Sequence, residues 1–299
     1  MAKGDPLSLP TSRERADAVE ELGSCGIAAH GAVRASMNDI AKLRSNPGPY
    51  RGEPFAPTLL RNSDEQTVVG LAAVLQAIER FRLSPSALTD WGLVAAPRYL
   101  GRLCMAQALD NFQRTGPSLV SPLIVPHRSL HSLSGTLSLA LDLRGPNLSA
   151  GGGPGALADG LQTALALVQE PNLPGIWLVL TEWDPEPTPD VRGQATQPCT
   201  CLGVALALVP ATRICSGSRL CLQRHHRAAG FTEGQGLKPS LASLVTVLTA
   251  ATPASAYRQW TFRLGWNAEM VLTLDDKPSR PPTCPGVSGG LALLAEAQP

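Results

Sequence analysis

The sequence has 299 residues, of which 43% are hydrophobic and 16% are charged. This apolar content allows a large buried core and excludes a disordered chain, which could not bury enough apolar surface to offset its ordering entropy. The 25 Lys and Arg residues and 24 Asp and Glu residues give a net charge of +1. Nucleic acid is therefore not expected as a partner, because binding phosphates requires clustered positive charge.

Targeting and redox features point to one compartment. No apolar run in the sequence approaches the roughly 20 residues of a membrane-spanning helix. Residues 1–24 carry charges and prolines where a signal peptide has an apolar run. Seven scattered cysteines, an odd number, are typical of buried thiols and not of a disulfide framework. These features predict a cytoplasmic protein without a membrane span.

In the first part of the chain, hydrophobic periodicity predicts one clear helix at residues 65–82. Its apolar stripe, with spacings of three and four residues, consists of Val68, Leu71, Leu75, Ile78 and Phe81. Residues 1–22 are polar and predict a poorly ordered segment with one helical turn at 13–21. Residues 44–64 are rich in Pro and Gly and predict a loop that ends in an N-cap at Ser63 or Asp64. The other elements predicted here are a strand at 25–29, a strand at 90–96 and a helix at 102–113.

From residue 127 onward, strands and helices alternate, which is typical of an α/β fold. The predicted helices cover residues 127–143, 156–169 and about 239–250. The predicted strands cover residues 148–150, 175–181, 201–209 and 289–295, with further apolar runs within 259–273. The continuous apolar runs at 175–181 and 201–209 indicate strands buried on both faces of a sheet. A polar, Pro-rich excursion at 184–198 separates these two strands.

The sharpest feature is a glycine-rich corner between a strand and a helix, which we call the glycine corner. It consists of Gly151, Gly152, Gly153, Pro154 and Gly155. Such a corner could bind phosphate at a helix N-terminus, but no Walker lysine follows and no acidic residue ends a second strand. It could be a nucleophile elbow, but none of its five residues has a nucleophilic side chain. A purely structural elbow needs no chemistry and is the simplest interpretation.

Residues 127–181 resemble the N-terminal half of β-ketoacyl synthases of the thiolase fold. Those enzymes carry a helix rich in small residues, a turn of the form G-P-N, a strand, a corner with the acyl-accepting cysteine, a helix and a buried strand. Here the turn is Gly145-Pro146-Asn147 and the corner is the glycine corner. The resemblance implies a layered αβαβα architecture over residues 23–299. It is clearest over 23–210, and 211–299 would be a shortened second half.

The sequence departs from that family at the residues that carry its chemistry. The position of the family's catalytic cysteine falls on Pro154, which has neither a thiolate nor a backbone N–H. The family uses two histidines in its C-terminal half, whereas His225 and His226 are the only histidines after residue 210. The resemblance therefore implies a chain-length-factor type of subunit, without catalytic residues, metal or cofactor. Such subunits pair with an active ketosynthase in polyketide or fatty-acid-like biosynthesis and close its acyl tunnel.

Partner and dimer residues also follow from the resemblance. In this fold the strand that leads to the corner pairs across the dimer axis, so the candidate dimer or tunnel residues are Gly145, Pro146, Asn147, Leu148, Ser149 and Ala150. The partner would be an active ketosynthase or a second copy of the chain, with an acyl carrier protein as a further candidate. A basic segment at 224–227 could dock such a carrier, because carrier proteins are strongly negative.

Other interpretations stay open at this point. An acyltransferase or hydrolase could use a displaced nucleophile, either Ser149 or Cys104, and a homodimer could bind an acyl ligand. His127 and His131 are four residues apart and would share a helix face, as metal-binding pairs do. A zinc site could use Cys199, Cys201, Cys215, Cys221 and His225, although these residues lack the usual paired spacing. Buried thiols and helix-start polarity explain both sets without a metal.

Overall fold

A computed structural model describes residues 19–56, 58–190, 192–213, 218–225, 240–250, 258–264 and 268–274. These ranges contain an eight-stranded mixed sheet with a hydrophobic core on each face, so the predicted α/β class is confirmed. The described residues build three layers: helices, the sheet, and helices again. The resemblance implied the five layers of an αβαβα architecture, but β8, β9 and β10 continue the same sheet and do not form a second one. None of the described helices has the length and hydropathy of a membrane span.

Strands and helices alternate along much of the described part of the chain. The strands are β1 (Val19–Ala35), β2 (Pro49–Tyr50), β3 (Glu53–Pro54), β4 (Gly92–Pro97), β5 (Asn147–Ser149), β6 (Ile176–Asp184), β7 (Thr200–Pro210), β8 (Arg219–His225), β9 (Arg258–Leu264) and β10 (Ala268–Leu274). The helices are α1 (Met37–Ser45), α2 (Glu65–Phe81), α3 (Arg102–Thr115), α4 (Ile124–Arg128), α5 (His131–Leu141), α6 (Ala156–Leu167) and α7 (Leu241–Thr249).

The strand order of the large sheet is β5-β4-β6-β7-β1-β8-β10-β9. Strands β5, β4 and β6 run parallel to one another, and every other neighbouring pair is antiparallel. Strands β8, β9 and β10 extend the sheet that the first half begins, on the far side of β1. Consequently β5, which leads into the glycine corner, lies at one edge of the sheet.

The central strands are buried on both faces, as their continuous apolar runs predict. Successive side chains of a strand point to opposite faces. Accordingly Trp177 and Val179 belong to one core, with residues of α1, α2 and α5, while Leu178 and Leu180 belong to the other, with residues of α6 and α7. All four side chains are at most 1% exposed. Burial on both faces makes β6 and β7 the most stabilising part of the sheet.

Helix α2 confirms the clearest prediction and anchors one core. Its N-cap is Asp64, whose carboxylate accepts the Gln66 N–H at 2.9 Å. The helix ends at Phe81, followed by Arg82 in the left-handed region with φ of +52°. A Cβ atom on Gly31 of β1 would overlap the carbonyl of Ala73, so only glycine lets α2 pack this close to the sheet.

Two predictions made from local pattern are wrong. Residues 19–22 belong to strand β1 and are not a poorly ordered segment, because β7 and β8 pair with β1 over most of its length. The helical turn at 13–21 is overturned in its last three residues, and residues 1–18 lie outside the described ranges. The single helix at 127–143 is two helices, because Ser129 is extended (ψ of 164°) between α4 and α5.

One helix of the structure was not predicted from the sequence, and one predicted strand cannot be compared with the structure. Helix α1 was not predicted, since only Ile40 in it is buried. It is set instead by a capping box, in which Ser36 and Asp39 bond to each other's backbone N–H. The predicted strand at 289–295 lies outside the described residues. The start of β1 is therefore determined by pairing with distant strands, and α1 is determined by its cap. Hydrophobic periodicity determines neither of them.

Candidate functional site

The glycine corner has a backbone that only glycine can adopt at its centre. Strand β5 ends at Ser149, and Gly151 and Gly152 follow with φ of +83° and +93°. A Cβ atom on Gly151 would lie 2.5 Å from the Cα of Ala156, the first residue of α6. This close approach, together with the positive φ, requires glycine there. The corner is thus a specified turn that places β5 and α6 in fixed positions.

Pro154 lies at the exposed tip of this corner. Proline supplies no backbone donor and no reactive atom at this position. Helix α6 begins behind it with Gly155 as N-cap, and no side chain caps the helix. The assignment of the corner as a degenerate elbow remains a prediction from the sequence.

The candidate dimer residues form the outermost strand and its flanking turns. The Leu93 N–H donates to the carbonyl of Pro146 at 2.8 Å, and the Ala150 N–H donates to the carbonyl of Ala95 at 2.9 Å. In this parallel register the backbone of Leu148 also faces β4, so the N–H and C=O groups of Asn147 and Ser149 point away from the sheet. No strand among the described residues pairs with that outer side, which we call the β5 edge.

A series of exposed apolar side chains surrounds the β5 edge. Helix α5 packs on β5, α4 packs on α5, and α3 packs on α4. Each of these elements exposes large apolar residues, and this set, which we call the apolar surface, consists of Met105, Leu109, Phe112, Leu123, Val125, Leu139 and Leu148. Leu139 is 82% exposed and Val125 is 71% exposed. Exposed apolar side chains that cluster on neighbouring elements can mark a site of association.

A buried group of charges lies behind the corner and holds α4 in place. Arg128 at the end of α4 contacts Asp64 at 3.4 Å and Glu65 at 3.5 Å, and Arg44 contacts Glu65 at 3.2 Å. Asp64 also accepts the Gly101 N–H at 3.1 Å. Burial raises the pKa of the Asp64 carboxyl to about 7, and the neighbouring Glu65 adds to the rise against the opposing effect of Arg128. The network joins α1, α2, α4 and the start of α3.

Cys104, one of the two displaced nucleophiles considered from the sequence, lies near this charge network. It is half-buried in α3, and burial raises the pKa of its thiol despite the nearby Arg128. A raised pKa lowers the fraction of thiolate, which is the reactive form. Cys201 is fully buried, and burial raises the pKa of its thiol well above the ordinary value. The environment of both residues favours packing and disfavours nucleophilic catalysis.

Ser149, the other displaced nucleophile, has a different environment. Its Oγ lies 2.8 Å from Oγ of Ser134, and the Ser134 Oγ lies 3.0 Å from Nδ1 of His131. The Ser134 hydroxyl also lies 3.1 Å from the His131 carbonyl, and Asn147 Nδ2 donates to the Ser134 carbonyl at 3.4 Å. Sequence reasoning missed this chain, because the contact depends on how α5 packs against β5 and no local pattern signals it.

The described residues do not bring together the ligands that the two metal alternatives require. His127 lies in α4 and His131 begins α5, so the prediction that they share one helix face is wrong. The described part of the chain contains no group of three His, Cys, Asp or Glu residues able to hold a metal ion. Cys199 and Cys201 flank the start of β7 and Cys221 lies in β8, while Cys215 is outside the described residues.

The basic segment proposed for carrier docking is only partly described. Arg224 in β8 forms an ion pair with Glu20 of the neighbouring β1 at 2.7 Å. His226 and Arg227 lie outside the described residues, as does the side chain of His225. The described part therefore supplies a paired arginine, whose charge is partly neutralised, and no cluster of free positive charge.

Comparison with protein-family models gives no match, and comparison with curated proteins gives none. The chain is similar in structure to a ketosynthase in complex with its chain length factor from Xenorhabdus doucetiae. The TM-score is 0.49 at 15% identity, over 84% of this chain and 99% of that chain. It is also similar to a type II polyketide synthase acyl-carrier protein in complex with its ketosynthase. There the TM-score is 0.45 at 16% identity, over 66% of this chain and 67% of that chain.

A third similar structure is the ketosynthase from module 1 of the bacillaene synthase of Bacillus amyloliquefaciens. The TM-score is 0.46 at 10% identity, over 72% of this chain and 48% of that chain. All three structures contain ketosynthases, the class of protein that the sequence resembles. With TM-scores below 0.5, this likeness assigns no activity, substrate or partner to the present chain.

Proposed function

We propose that the chain is a β-ketoacyl synthase-like subunit that does not itself catalyse condensation. It would pair with an active ketosynthase in the cytoplasm, stabilise it and help to close its acyl tunnel, in polyketide or fatty-acid-like biosynthesis. The observation that carries the proposal is the juxtaposition of a nucleophile-free glycine corner with a strand edge that pairs with no other strand of the described residues. A ketosynthase that condenses acyl groups by itself needs a nucleophile at the corner, whereas an obligate subunit needs a strand edge for its partner.

The corner supports the first half of the proposal. Gly151 and Gly152 keep the sharp strand-to-helix turn of an elbow, yet Pro154 at its tip can neither accept an acyl group nor donate a hydrogen bond to an oxyanion. A protein that used the corner for condensation would require a thiol or hydroxyl there. A subunit that only stabilises its partner and helps to shape the acyl tunnel is expected to keep the turn without the nucleophile.

The β5 edge and the apolar surface support the second half. A partner strand could bond to the outward N–H and C=O groups of Asn147 and Ser149, which would extend the sheet by one strand. The apolar surface would then supply the hydrophobic contact area of the interface. Leu139 and Val125 are its most exposed members and would lose the most water-accessible area on pairing.

Co-expression with ketosynthases of the same genome tests the proposal. Light scattering should give a stable one-to-one complex, and the lone chain should aggregate or form mixed oligomers because its apolar surface is uncovered. A well-behaved lone monomer that ignores every synthase would contradict the pairing. A homodimer that buries the same surface would instead support the alternative of a self-associating acyl-binding protein.

A condensation assay tests separately whether the lone chain catalyses condensation. The purified chain, incubated with acyl and malonyl thioesters, should release no carbon dioxide and form no β-ketoacyl product. The partner ketosynthase with its own cysteine intact should form product, and the complex should form it at least as fast. Condensation by the lone chain would overturn the proposal whatever its oligomeric state.

A further inference from the structure

Three side chains at the β5 edge form a continuous hydrogen-bonded chain that the proposed function does not use. It runs from Ser149 Oγ to Ser134 Oγ at 2.8 Å, and from Ser134 Oγ to His131 Nδ1 at 3.0 Å. A serine nucleophile is activated when a base can take its proton, usually through a direct hydrogen bond. Here a second hydroxyl lies between the nucleophile and the base.

The burial of the three residues fits a relay. Ser134 is fully buried, whereas Ser149 is partly exposed and His131 is exposed. Solvent therefore does not reach the middle hydroxyl, whereas the exposed imidazole at the end of the chain can exchange protons with solvent. Because side chains leave a sheet perpendicular to it, backbone pairing at the β5 edge would not consume the Ser149 hydroxyl.

We propose that Ser149 is an acyl-accepting nucleophile for esters or thioesters, with Ser134 as proton relay and His131 as the base. This activity would be hydrolytic or acyl-transferring, and it is independent of the proposed pairing with a ketosynthase. The motivating geometry separates Ser149 from Cys104, whose thiol has no base bonded to it among the described residues.

The Ser134 hydroxyl has one proton, which can be donated to the His131 carbonyl at 3.1 Å or to Nδ1 at 3.0 Å; the proposed step uses the second arrangement. With it, the step balances without any co-reactant. Ser149 Oγ attacks the carbonyl carbon, its proton passes to Ser134 Oγ, and the proton of Ser134 passes to Nδ1 of His131. The bond from the carbonyl carbon to the leaving oxygen or sulfur breaks with its electron pair, and the leaving group takes the proton from the imidazolium. Water, or another hydroxyl or thiol acceptor, then attacks acyl-Ser149 by the same route in reverse.

A fluorophosphonate probe tests the proposal on the full chain, because it labels activated serines by displacement of fluoride. Peptide mass spectrometry of the wild type should place the adduct on Ser149. The labelling rate should fall at least tenfold in Ser134→Ala and in His131→Ala. Added imidazole should restore part of the rate in His131→Ala, because the exposed site admits it, and a merely structural role would give no such rescue.

Ser132→Ala provides a matched control on the same helix. Ser132 Oγ donates to the Ser129 carbonyl at 2.6 Å and takes no part in the chain, so its variant should label within about twofold of the wild type. Circular dichroism of each variant separates loss of labelling from loss of fold. The proposal is overturned if wild-type Ser149 carries no adduct. It is also overturned if folded Ser134→Ala and His131→Ala label as fast as the wild type.

Discussion

The two ends of the first half of the sheet differ sharply in how completely they are covered. Around β6 and β7, successive side chains enter two separate cores and almost none reaches solvent. Around β5, the strand is three residues long and its outer backbone faces no strand of the described residues. The helices beside it carry apolar residues as exposed as Leu139, at 82%.

This difference separates the part of the molecule that makes it fold from the part available for function. Burial on both faces accounts for the stability of β6 and β7 and leaves them no surface to offer a ligand or partner. At the β5 end, no other strand of the described residues covers the outer backbone groups, and nearby apolar side chains are exposed, which is an arrangement that favours association. The following four predictions sharpen the contrast, from the largest expected effect to the smallest.

Leu178→Ala in β6 should destabilise the chain by about 2–5 kcal/mol, since it removes a fully buried side chain and leaves a cavity. Leu148→Ala in β5 should change stability by no more than about 0.5 kcal/mol, because Leu148 is 41% exposed. Urea unfolding of both variants measures the difference. Equal losses would mean that the two ends are equally important to the fold of the lone chain.

Asp64→Asn should alter how stability depends on pH. The unfolded Asp loses its proton near pH 4, whereas the native Asp64 holds it up to about pH 7. Between these values the native state binds more protons, so wild-type stability falls as pH rises. Asparagine keeps the N-cap but cannot titrate. The variant should therefore gain relative to the wild type from pH 5 to pH 8, by at most about 3 kcal/mol, because only two pH units separate pH 5 from the native pKa of about 7.

Urea unfolding at the two pH values measures this relative gain. A parallel pH dependence in wild type and Asp64→Asn would show that Arg128 keeps the carboxyl ionised throughout, and that burial does not control it. Such a result would also mean that the ion pairs of the charge network stabilise the fold across this pH range.

Leu139→Ser should weaken the complex with a ketosynthase by about tenfold in Kd, equivalent to about 1.4 kcal/mol. It should leave the stability of the lone chain within about 0.5 kcal/mol, because the side chain is already in water. Met37→Ser is the matched control, since Met37 is 41% exposed but lies on α1, away from the apolar surface. An equal effect of both substitutions on Kd would argue against this surface as the interface.

Pro154→Ala should have the smallest effect, below about 0.5 kcal/mol in unfolding free energy, because the proline is exposed at the tip of the corner. Complex formation and the yield of the partner's product should stay within twofold of wild type. A loss of product formation without a loss of binding would mean that the corner takes part in the chemistry after all.

Local pattern predicted those elements whose own residues determine them. The stripe of α2, its Asp64 cap, and the buried runs of β6 and β7 follow from periodicity and turn chemistry. The length of β1 could not be predicted, because Glu20 and Glu21 are polar and become strand only by pairing with β8. The break between α4 and α5 could not be predicted either, since Arg128 is held by Asp64, 64 positions away.

The sequence predicted the backbone corner of the candidate site but not the hydrogen bonds between its side chains. The glycines and the G-P-N turn indicated a corner at the end of a strand, and the structure places it there. The position of β5 at the edge of the sheet depends on strand order, which the sequence does not state. Likewise Ser134 and Ser149 are 15 positions apart in sequence, and their hydroxyls are in contact only because α5 packs against β5.

Amide hydrogen exchange of β5, at single-residue resolution, tests the central claim most directly. The Asn147 and Ser149 amides face the open edge, whereas the Leu148 amide faces β4 in the lone chain. On mixing with the partner ketosynthase, the account predicts at least a tenfold slowing at Asn147 and Ser149, with a smaller change at Leu148. Unchanged exchange at Asn147 and Ser149 in the presence of every candidate synthase would contradict it.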